Sequence, residues 1–198
     1  MRRVAVIGGS SVGKTTLSKE LARRLGVPHI ELDALPHDRG WVEASAEVFQ
    51  ARVDAAMAAA SDGWVADGNY HGKLGTSVLE RADTLVFLDL PYRTALRRVT
   101  WRTFRRVLSR EELWNGNRET FRNSFLSRQS IVLWVITQHG KYRQKWPERY
   151  EALPHLEVVR LRSARAVREW LQSIQATESM SGSSNGSERQ NTPPLTET

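Results

Sequence analysis

The sequence predicts an α/β protein, in which a parallel sheet of five strands lies between two layers of helices. Short apolar runs rich in β-branched residues alternate along the chain with segments of helical periodicity, a pattern typical of parallel strands joined by helical crossovers. The first of these runs leads directly into a glycine-rich loop and then a helix. The five runs that we interpret as strands are residues 3–7, 28–32, 64–66, 84–88 and 156–161.

The glycine-rich loop after the first strand fits G-x-x-x-x-G-K-[ST], the pattern of a phosphate-binding loop. Glycine permits backbone angles that a side chain forbids, so the loop amides can close around an anion. We expect Lys14 to reach the β- and γ-phosphates and the Thr15 hydroxyl to bind Mg²⁺. The N-terminus of the following helix would also attract the phosphates. The residues expected to bind the nucleotide are Gly8, Gly9, Ser10, Ser11, Val12, Gly13, Lys14, Thr15 and Thr16.

The segments between the strands have the periodicity of amphipathic helices. Leu17, Leu21 and Leu25 recur every fourth residue after the loop and define one apolar helix face. Ser45 is well placed to cap the next helix. The apolar side of that helix is expected to contain Val48, Val53, Ala56 and Met57. The predicted helices cover residues 15–25, 45–60, 91–108, 118–138 and 164–174, with a break near 114–117.

Three aspartates, Asp33, Asp67 and Asp89, come directly after predicted strands. The carboxyl ends of parallel strands meet at one edge of a sheet, which is also where the glycine-rich loop opens. We therefore expect all three carboxylates near the loop. Asp89 precedes a helix and is interpreted as its structural cap.

Composition indicates one globular domain at residues 1–175 and a disordered tail at 176–198. The chain has 198 residues, 40% of them apolar, and no cysteine, which suffices for a core but excludes disulfides and thiolate metal sites. The tail is rich in Ser, Thr, Gly, Asn, Glu and Pro and cannot bury enough apolar surface to order itself. The start lacks the long apolar run of a signal peptide, and no later run approaches the roughly 20 residues that span a bilayer. We expect a cytoplasmic protein without a membrane partner.

Positive charge is concentrated in the middle of the chain. Between Arg93 and Arg149, twelve arginines and two lysines accompany four glutamates, whereas the whole chain has a net charge of +7. Such a block indicates a partner that bears phosphates, either a nucleotide or a nucleic acid. On the helix at 91–108, one face is expected to present Arg98, Arg102, Arg105 and Arg106. The opposite face, which we expect to pack, contains Leu96, Trp101, Phe104, Val107 and Leu108.

The chain resembles P-loop kinases related to the adenylate kinases. More closely, it is similar to a bacterial subfamily labelled adenylate-kinase-related or DNA topology modulation proteins. Three segments between Arg2 and Ile174 carry this resemblance. They are the glycine-rich loop, the run Trp64-Val65-Ala66-Asp67-Gly68-Asn69-Tyr70, and Asp89-Leu90-Pro91 followed by Arg98 and Arg102.

The resemblance implies specific roles for several residues. Asp67 would hold a water on Mg²⁺, and Asp33 would position or deprotonate the acceptor. Arg98 and Arg102 would contact the adenine and the phosphates, and Arg162 would lie in the loop that contacts the adenine. A helical, arginine-rich lid at about residues 98–128 would close over the γ-phosphate; its remaining arginines are Arg118 and Arg122.

The acceptor half of the chain departs from the adenylate kinase pattern. His71 and Lys73 occupy the region where those enzymes place an acceptor-binding arginine. We therefore expect an ATP- and Mg²⁺-dependent phosphotransferase acting on a small acceptor, which could be a nucleotide, a nucleoside or another hydroxyl or phosphate metabolite. The alternative is an ATP-binding, nucleic-acid-associated protein that affects DNA topology, since basic helices with interleaved Trp and Phe can also follow a phosphate backbone. The sequence leaves the oligomeric state open.

Overall fold

A computed structural model of the chain describes residues 1–38, 42–109 and 153–183, together with Thr137, Gly140, Trp146 and Tyr150. The predicted break near 114–117 lies outside these described residues, as do most of the predicted helix at 118–138 and its Arg118 and Arg122. Only residues 98–109 of the expected lid are described.

All five predicted strands are present and pair in parallel, in the order β2-β3-β1-β4-β5. β1 lies in the centre, so the loop that follows it opens at the middle of the sheet's carboxyl edge. β3 and β4, which flank β1, are buried along their whole length, as expected for strands covered on both faces. The strand bounds are Arg3–Gly8 for β1, His29–Glu31 for β2, Trp64–Asp67 for β3, Thr84–Leu88 for β4 and Glu157–Leu161 for β5.

Helices cover both faces of the sheet, which confirms the predicted three-layer architecture. Each face has its own apolar cluster: Leu17 and Val99 belong to one, and Phe49 and Leu79 belong to the other. The helices are α1 at Lys14–Leu25, α2 at Ala46–Ala59, α3 at His71–Leu74, α4 at Ser77–Arg81, α5 at Tyr92–Ser109 and α6 at Ala164–Ser183. A 3₁₀ turn, Leu32–Ala34, follows β2.

The first two long helices follow the predicted pattern with one correction. Leu17 and Leu21 of α1 are buried, and the Ser45 side chain accepts a hydrogen bond from the Val48 amide at the start of α2. The Val48 side chain, however, is 45% exposed, and Phe49 is fully buried instead. The buried stripe of α2 therefore runs through Phe49, Val53 and Met57.

The orientation of α5 differs from the prediction. Its buried residues are Ala95, Val99 and Thr103. The expected packing face is largely outside: Trp101 is 67% exposed and Leu108 is 75% exposed. Arg98 and Arg102 are half-buried, whereas Arg105 is exposed. The inner face of α5 therefore combines small side chains with two of the four arginines.

The last helix is longer than predicted. α6 runs to Ser183 rather than Ile174, so the start of the expected tail is helical, and residues 184–198 lie outside the described part of the chain. None of the described helices is both long and apolar enough to cross a membrane.

Asp83 links the beginning of β1 to β4, and its charge should stabilise the fold. Its carboxylate accepts hydrogen bonds from the amides of Arg2 (2.7 Å) and Arg3 (2.9 Å) and from the Thr84 hydroxyl. Burial acts to raise the pKa of Asp83, but these hydrogen bonds outweigh it and hold the pKa below its ordinary value of 3.8. A depressed pKa means that the stabilisation is complete above about pH 4 and is lost as the pH falls through the folded-state value.

We predict that Asp83→Ala lowers the free energy of unfolding by about 2 kcal/mol at pH 7, the usual size for a hydrogen bond to a charged group. Urea denaturation at pH 7 and pH 2.5 measures this, and the difference from wild type should shrink at the lower pH. Asp62→Ala, which removes an exposed aspartate, is the control and should change stability by less than about 0.5 kcal/mol. An equal effect of the two substitutions at pH 7 would contradict the assigned role.

Candidate functional site

The glycine-rich loop joins β1 to α1 at the centre of the sheet, as predicted. Gly13 adopts a left-handed conformation (φ 102°) and caps α1, and its carbonyl accepts the Leu17 amide at 3.0 Å. Ser11 is also left-handed, with φ 60°. Alternation of right- and left-handed residues turns successive amides towards one side, which makes a concave site for an anion.

Gly8 lies where two neighbouring elements approach the loop closely. A Cβ at this position would lie 2.7 Å from the Leu88 carbonyl of β4, closer than such atoms can approach. On the other side, the Asn69 amide oxygen accepts the Gly8 amide at 3.2 Å, and the Asn69 amide nitrogen donates to the Gly8 carbonyl. Sequence reasoning did not assign Asn69 a role, although it follows Asp67 in a segment that carried the resemblance.

Lys14 folds back over the loop. Its ammonium donates to the carbonyls of Gly8 (3.3 Å) and Gly9 (3.0 Å). Burial lowers the pKa of Lys14, the nearby carboxylates of Asp33 and Asp67 raise it, and Arg102 lowers it further. The ammonium therefore lies among the groups that sequence reasoning had assigned to one site.

Two arginines of α5 lie against the loop. Arg98 donates from Nη1 to the Val12 carbonyl at 2.8 Å, and the charge of Arg102 is close enough to affect Lys14. With the N-terminus of α1, these side chains surround the loop with positive charge. The structure thus brings Lys14, Arg98 and Arg102 together, while Arg118 and Arg122 lie outside the described residues.

Asp67 ends β3 beside the loop and is almost completely buried, with 1% exposure. Neither of its carboxylate oxygens has a hydrogen-bond partner among the described residues, and Nε2 of His29 lies 3.5 Å from Oδ2. A buried carboxylate without hydrogen bonds is unfavourable unless a cation compensates it. An Mg²⁺-bound water fits this requirement, with Thr15 in the first turn of α1 as the neighbouring ligand.

Within the described segments, no group of three or more His, Cys, Asp or Glu side chains is arranged to bind a metal ion. Mg²⁺ commonly keeps several waters and takes its remaining ligands from one or two protein groups and from substrate phosphates. Thr15 and Asp67 fit that kind of site.

Asp33 and Tyr70 form a polar pair next to Lys14. Asp33 lies in the 3₁₀ turn directly after β2, as predicted, and its carboxylate is close enough to the Tyr70 hydroxyl to affect it electrostatically. Burial, together with the negative charge of Asp33, raises the pKa of Tyr70 well above its usual range. The Tyr70 ring is held edge-on against Phe49, with centroids 4.9 Å apart. Tyr70 is therefore neutral at physiological pH, with its hydroxyl near the Asp33 carboxylate.

A small, mainly apolar cleft with a free volume of about 20 Å³ lies beside Tyr70. Its walls come from β1, from the end of β3, from α3 and α4, and from Leu32, the neighbour of Asp33 in the sequence. The side chains that line it outside the strands include Leu32, Tyr70, Leu74, Val78, Leu79 and Trp146.

The third aspartate of the edge has a structural role. Asp89 is buried, and Oδ2 accepts two hydrogen bonds from Arg160, at 2.7 and 3.0 Å. This ion pair joins the end of β4 to β5, so Asp89 has a structural role, and its predicted capping of the following helix stays a prediction. The Arg162 side chain is 71% exposed and lies 3.9 Å from the same oxygen, and its contact with an adenine stays a prediction.

The fold has close counterparts among solved structures, although searches with protein-family models and against curated proteins find no match. A shikimate kinase from Acinetobacter baumannii in complex with shikimate is 15% identical, with a TM-score of 0.53 over 91% of this chain and 94% of that one. A shikimate kinase from Bacteroides thetaiotaomicron is also 15% identical, with a TM-score of 0.52 over 90% and 98% of the two chains. The predicted fold, a parallel sheet of five strands between two layers of helices, is confirmed, and the likeness to P-loop kinases and to topology modulation proteins in function stays a prediction.

We predict that Asn69→Asp weakens binding of a non-hydrolysable ATP analogue by at least about tenfold, or about 1.4 kcal/mol. The substitution removes the donor to the Gly8 carbonyl and places a carboxylate where phosphates would bind. Isothermal titration calorimetry measures the affinity. Gln172→Glu makes the same charge change on an exposed position of α6 and should leave binding unchanged. Equal affinities for wild type and Asn69→Asp would show that the loop does not depend on this amide.

Proposed function

We propose that the protein transfers the γ-phosphate of Mg-ATP to a hydroxyl group of a small acceptor. The observation that carries this proposal is the convergence of three groups at one edge: Lys14 on the phosphate loop, buried Asp67 beside it, and Asp33 next to both. The kinase fold of the two structural neighbours supports the same reaction class. Because ATP is the donor, we expect the reaction in the cytoplasm.

ATP, the phosphate donor, would bind along the loop from Gly8 to Thr16. Amides of the loop and of the first turn of α1 would donate to the phosphates, and Lys14 would exchange the Gly8 and Gly9 carbonyls for β- and γ-phosphate oxygens. Arg98 and Arg102 would neutralise charge that spreads over the transferring group. Thr15, and Asp67 through a water, would hold Mg²⁺, which when bound would supply positive charge against the phosphates.

The acceptor would bind between Asp33 and the cleft beside Tyr70. Its hydroxyl oxygen forms the new bond to the γ-phosphorus as the bond from that phosphorus to the β–γ bridging oxygen breaks, and the products are ADP and a phosphate ester. The hydroxyl proton passes to Asp33, which lies near the Tyr70 hydroxyl. Apolar walls at this point would exclude water, which otherwise competes as an acceptor.

Measurement of ADP release during incubation with Mg-ATP and pools of acceptors tests the proposal. The pools should contain nucleotides, nucleosides and hydroxylated metabolites, including shikimate, the ligand of one structural neighbour. We predict acceptor-dependent ADP release by wild type. Asp33→Asn should lower kcat by about 10²- to 10⁴-fold, the usual contribution of a general base, while ATP affinity stays close to that of wild type.

Two variants make this assay decisive. Lys14→Ala gives the background without a phosphate-binding ammonium, and Asp62→Asn removes a distant, exposed carboxylate and should match wild type. If no pool raised ADP release above the Lys14→Ala background, the proposed reaction would be wrong.

One observation favours a second function, nucleic-acid binding. The rings of Trp101 and Phe104 stack at 6.2 Å on the exposed face of α5, and Arg97 and Arg105 are exposed on the same helix. Aromatic rings beside guanidinium groups suit stacking on unpaired bases and pairing with phosphates.

This second function predicts that the protein binds a fluorescent single-stranded oligonucleotide and that the affinity falls steeply with salt. Neutralising Arg105 and Arg106 should reduce binding without affecting ATP affinity, and Trp101→Ala should weaken it by about tenfold, within the range for one stacked base. Fluorescence anisotropy from 50 to 300 mM salt measures both effects. If these variants bound the oligonucleotide as tightly as wild type does, the second function would be contradicted and only the kinase proposal would remain.

A further inference from the structure

His29 lies beside Asp67, the candidate metal ligand, and has no role in the proposed reaction. Its Nε2 is 3.5 Å from Oδ2 of Asp67, and the His29 side chain is 14% exposed. Nε2 of His29 and both oxygens of Asp67 lack a hydrogen-bond partner among the described residues. Two partly or wholly buried polar groups therefore face each other without a hydrogen bond, which is unusual in a folded protein.

The sheet register produces this approach. In the parallel pairing of β2 with β3, His29 lies opposite Val65, and Glu31 lies opposite Asp67. Alternate residues of a strand point to the same face of a sheet, so His29 and Asp67 point to one face from diagonal positions. This separation of 3.5 Å is only about 0.5 Å longer than a normal N–H···O distance.

We propose that His29 is a positioning residue for Asp67, an inference that rests on the proposed function. When the 3.5 Å gap closes slightly, the Nε2–H of His29 would donate to Oδ2 and fix the plane of the carboxylate, which would leave Oδ1 for the water that Mg²⁺ carries. Carboxylates at metal sites are normally held by hydrogen bonds of this kind, and removing the donor typically costs 10- to 100-fold in metal affinity.

This role differs from simple packing between two strands. If His29 only filled space between β2 and the neighbouring elements, its removal would weaken the fold equally with and without metal. A positioning donor instead has its main effect on the metal-bound complex. Glutamine can present a side-chain N–H at nearly the same distance from the backbone as Nε2, so His29→Gln should preserve the positioning function.

The test measures Mn²⁺ affinity by electron paramagnetic resonance in the presence of a non-hydrolysable ATP analogue, at one fixed pH. We expect His29→Ala to weaken Mn²⁺ binding by about 10- to 100-fold, His29→Gln to retain most of it, and Asp67→Asn to lose at least as much as His29→Ala. Affinity for the analogue in EDTA should be the same in wild type and in both His29 variants. His155→Ala removes a histidine that contacts the Leu79 carbonyl instead and should match wild type.

The outcomes separate this inference from the proposed function. Mn²⁺ affinity that is equal in His29→Ala and wild type would overturn the positioning role while leaving the nucleotide site intact. Equal loss in His29→Ala and His29→Gln, accompanied by the same drop in thermal stability in EDTA, would also overturn it and assign His29 to packing. Wild type that binds neither the analogue nor Mn²⁺ would instead refute the proposed function itself.

Discussion

The close approach of β4 and Asn69 to the backbone at Gly8 is the constraint on which the candidate site depends. The Leu88 carbonyl leaves no room for a side chain, and the two amide hydrogen bonds of Asn69 fix the peptide groups on either side. The loop must therefore start its turn at this point, directly above the carboxyl edge of the central strand. From this turn the chain reaches the left-handed residue Gly13 and then Lys14, the first residue of α1. The parallel pairing of β1 with β3 places Asp67 beside the loop.

The charges around the loop suit the ligand that we propose, a triphosphate with bound Mg²⁺. Lys14, Arg98 and Arg102 surround the loop, whereas Asp33 and Asp67 lie just beyond the ammonium. A charge pair about 4 Å apart contributes about 4 kcal/mol at an effective dielectric constant of about 20, before the cost of desolvation. A triphosphate would satisfy the cations, a bound Mg²⁺ would compensate Asp67, and Asp33 would remain for the acceptor. This division explains why carboxylates and guanidinium groups are found so close together.

Much of the fold could be predicted from the sequence, because buried parallel strands are continuous apolar runs and the phosphate loop has a fixed pattern. The orientation of α5 could not be predicted in the same way. Large apolar residues such as Trp101 and Leu108 suggested the packing face, but close approach to the sheet requires small side chains such as Ala95. Contacts between distant segments could not be predicted either, because they depend on strand register and on a 3₁₀ turn that local sequence patterns do not indicate. These contacts join Asn69 to Gly8, His29 to Asp67 and Tyr70 to Asp33. The roles of Arg118 and Arg122 stay predictions.

The central claim is that the loop binds phosphates, with the β- and γ-phosphates supplying most of the affinity. Calorimetric titration of the wild-type protein with AMP, ADP and ATP in the presence of Mg²⁺ tests it most directly. The account predicts that ATP binds at least about 100-fold more tightly than AMP, a difference of about 2.7 kcal/mol, and that removing Mg²⁺ weakens ATP binding much more than AMP binding. Equal affinity for AMP and ATP, or no binding of either, would contradict it.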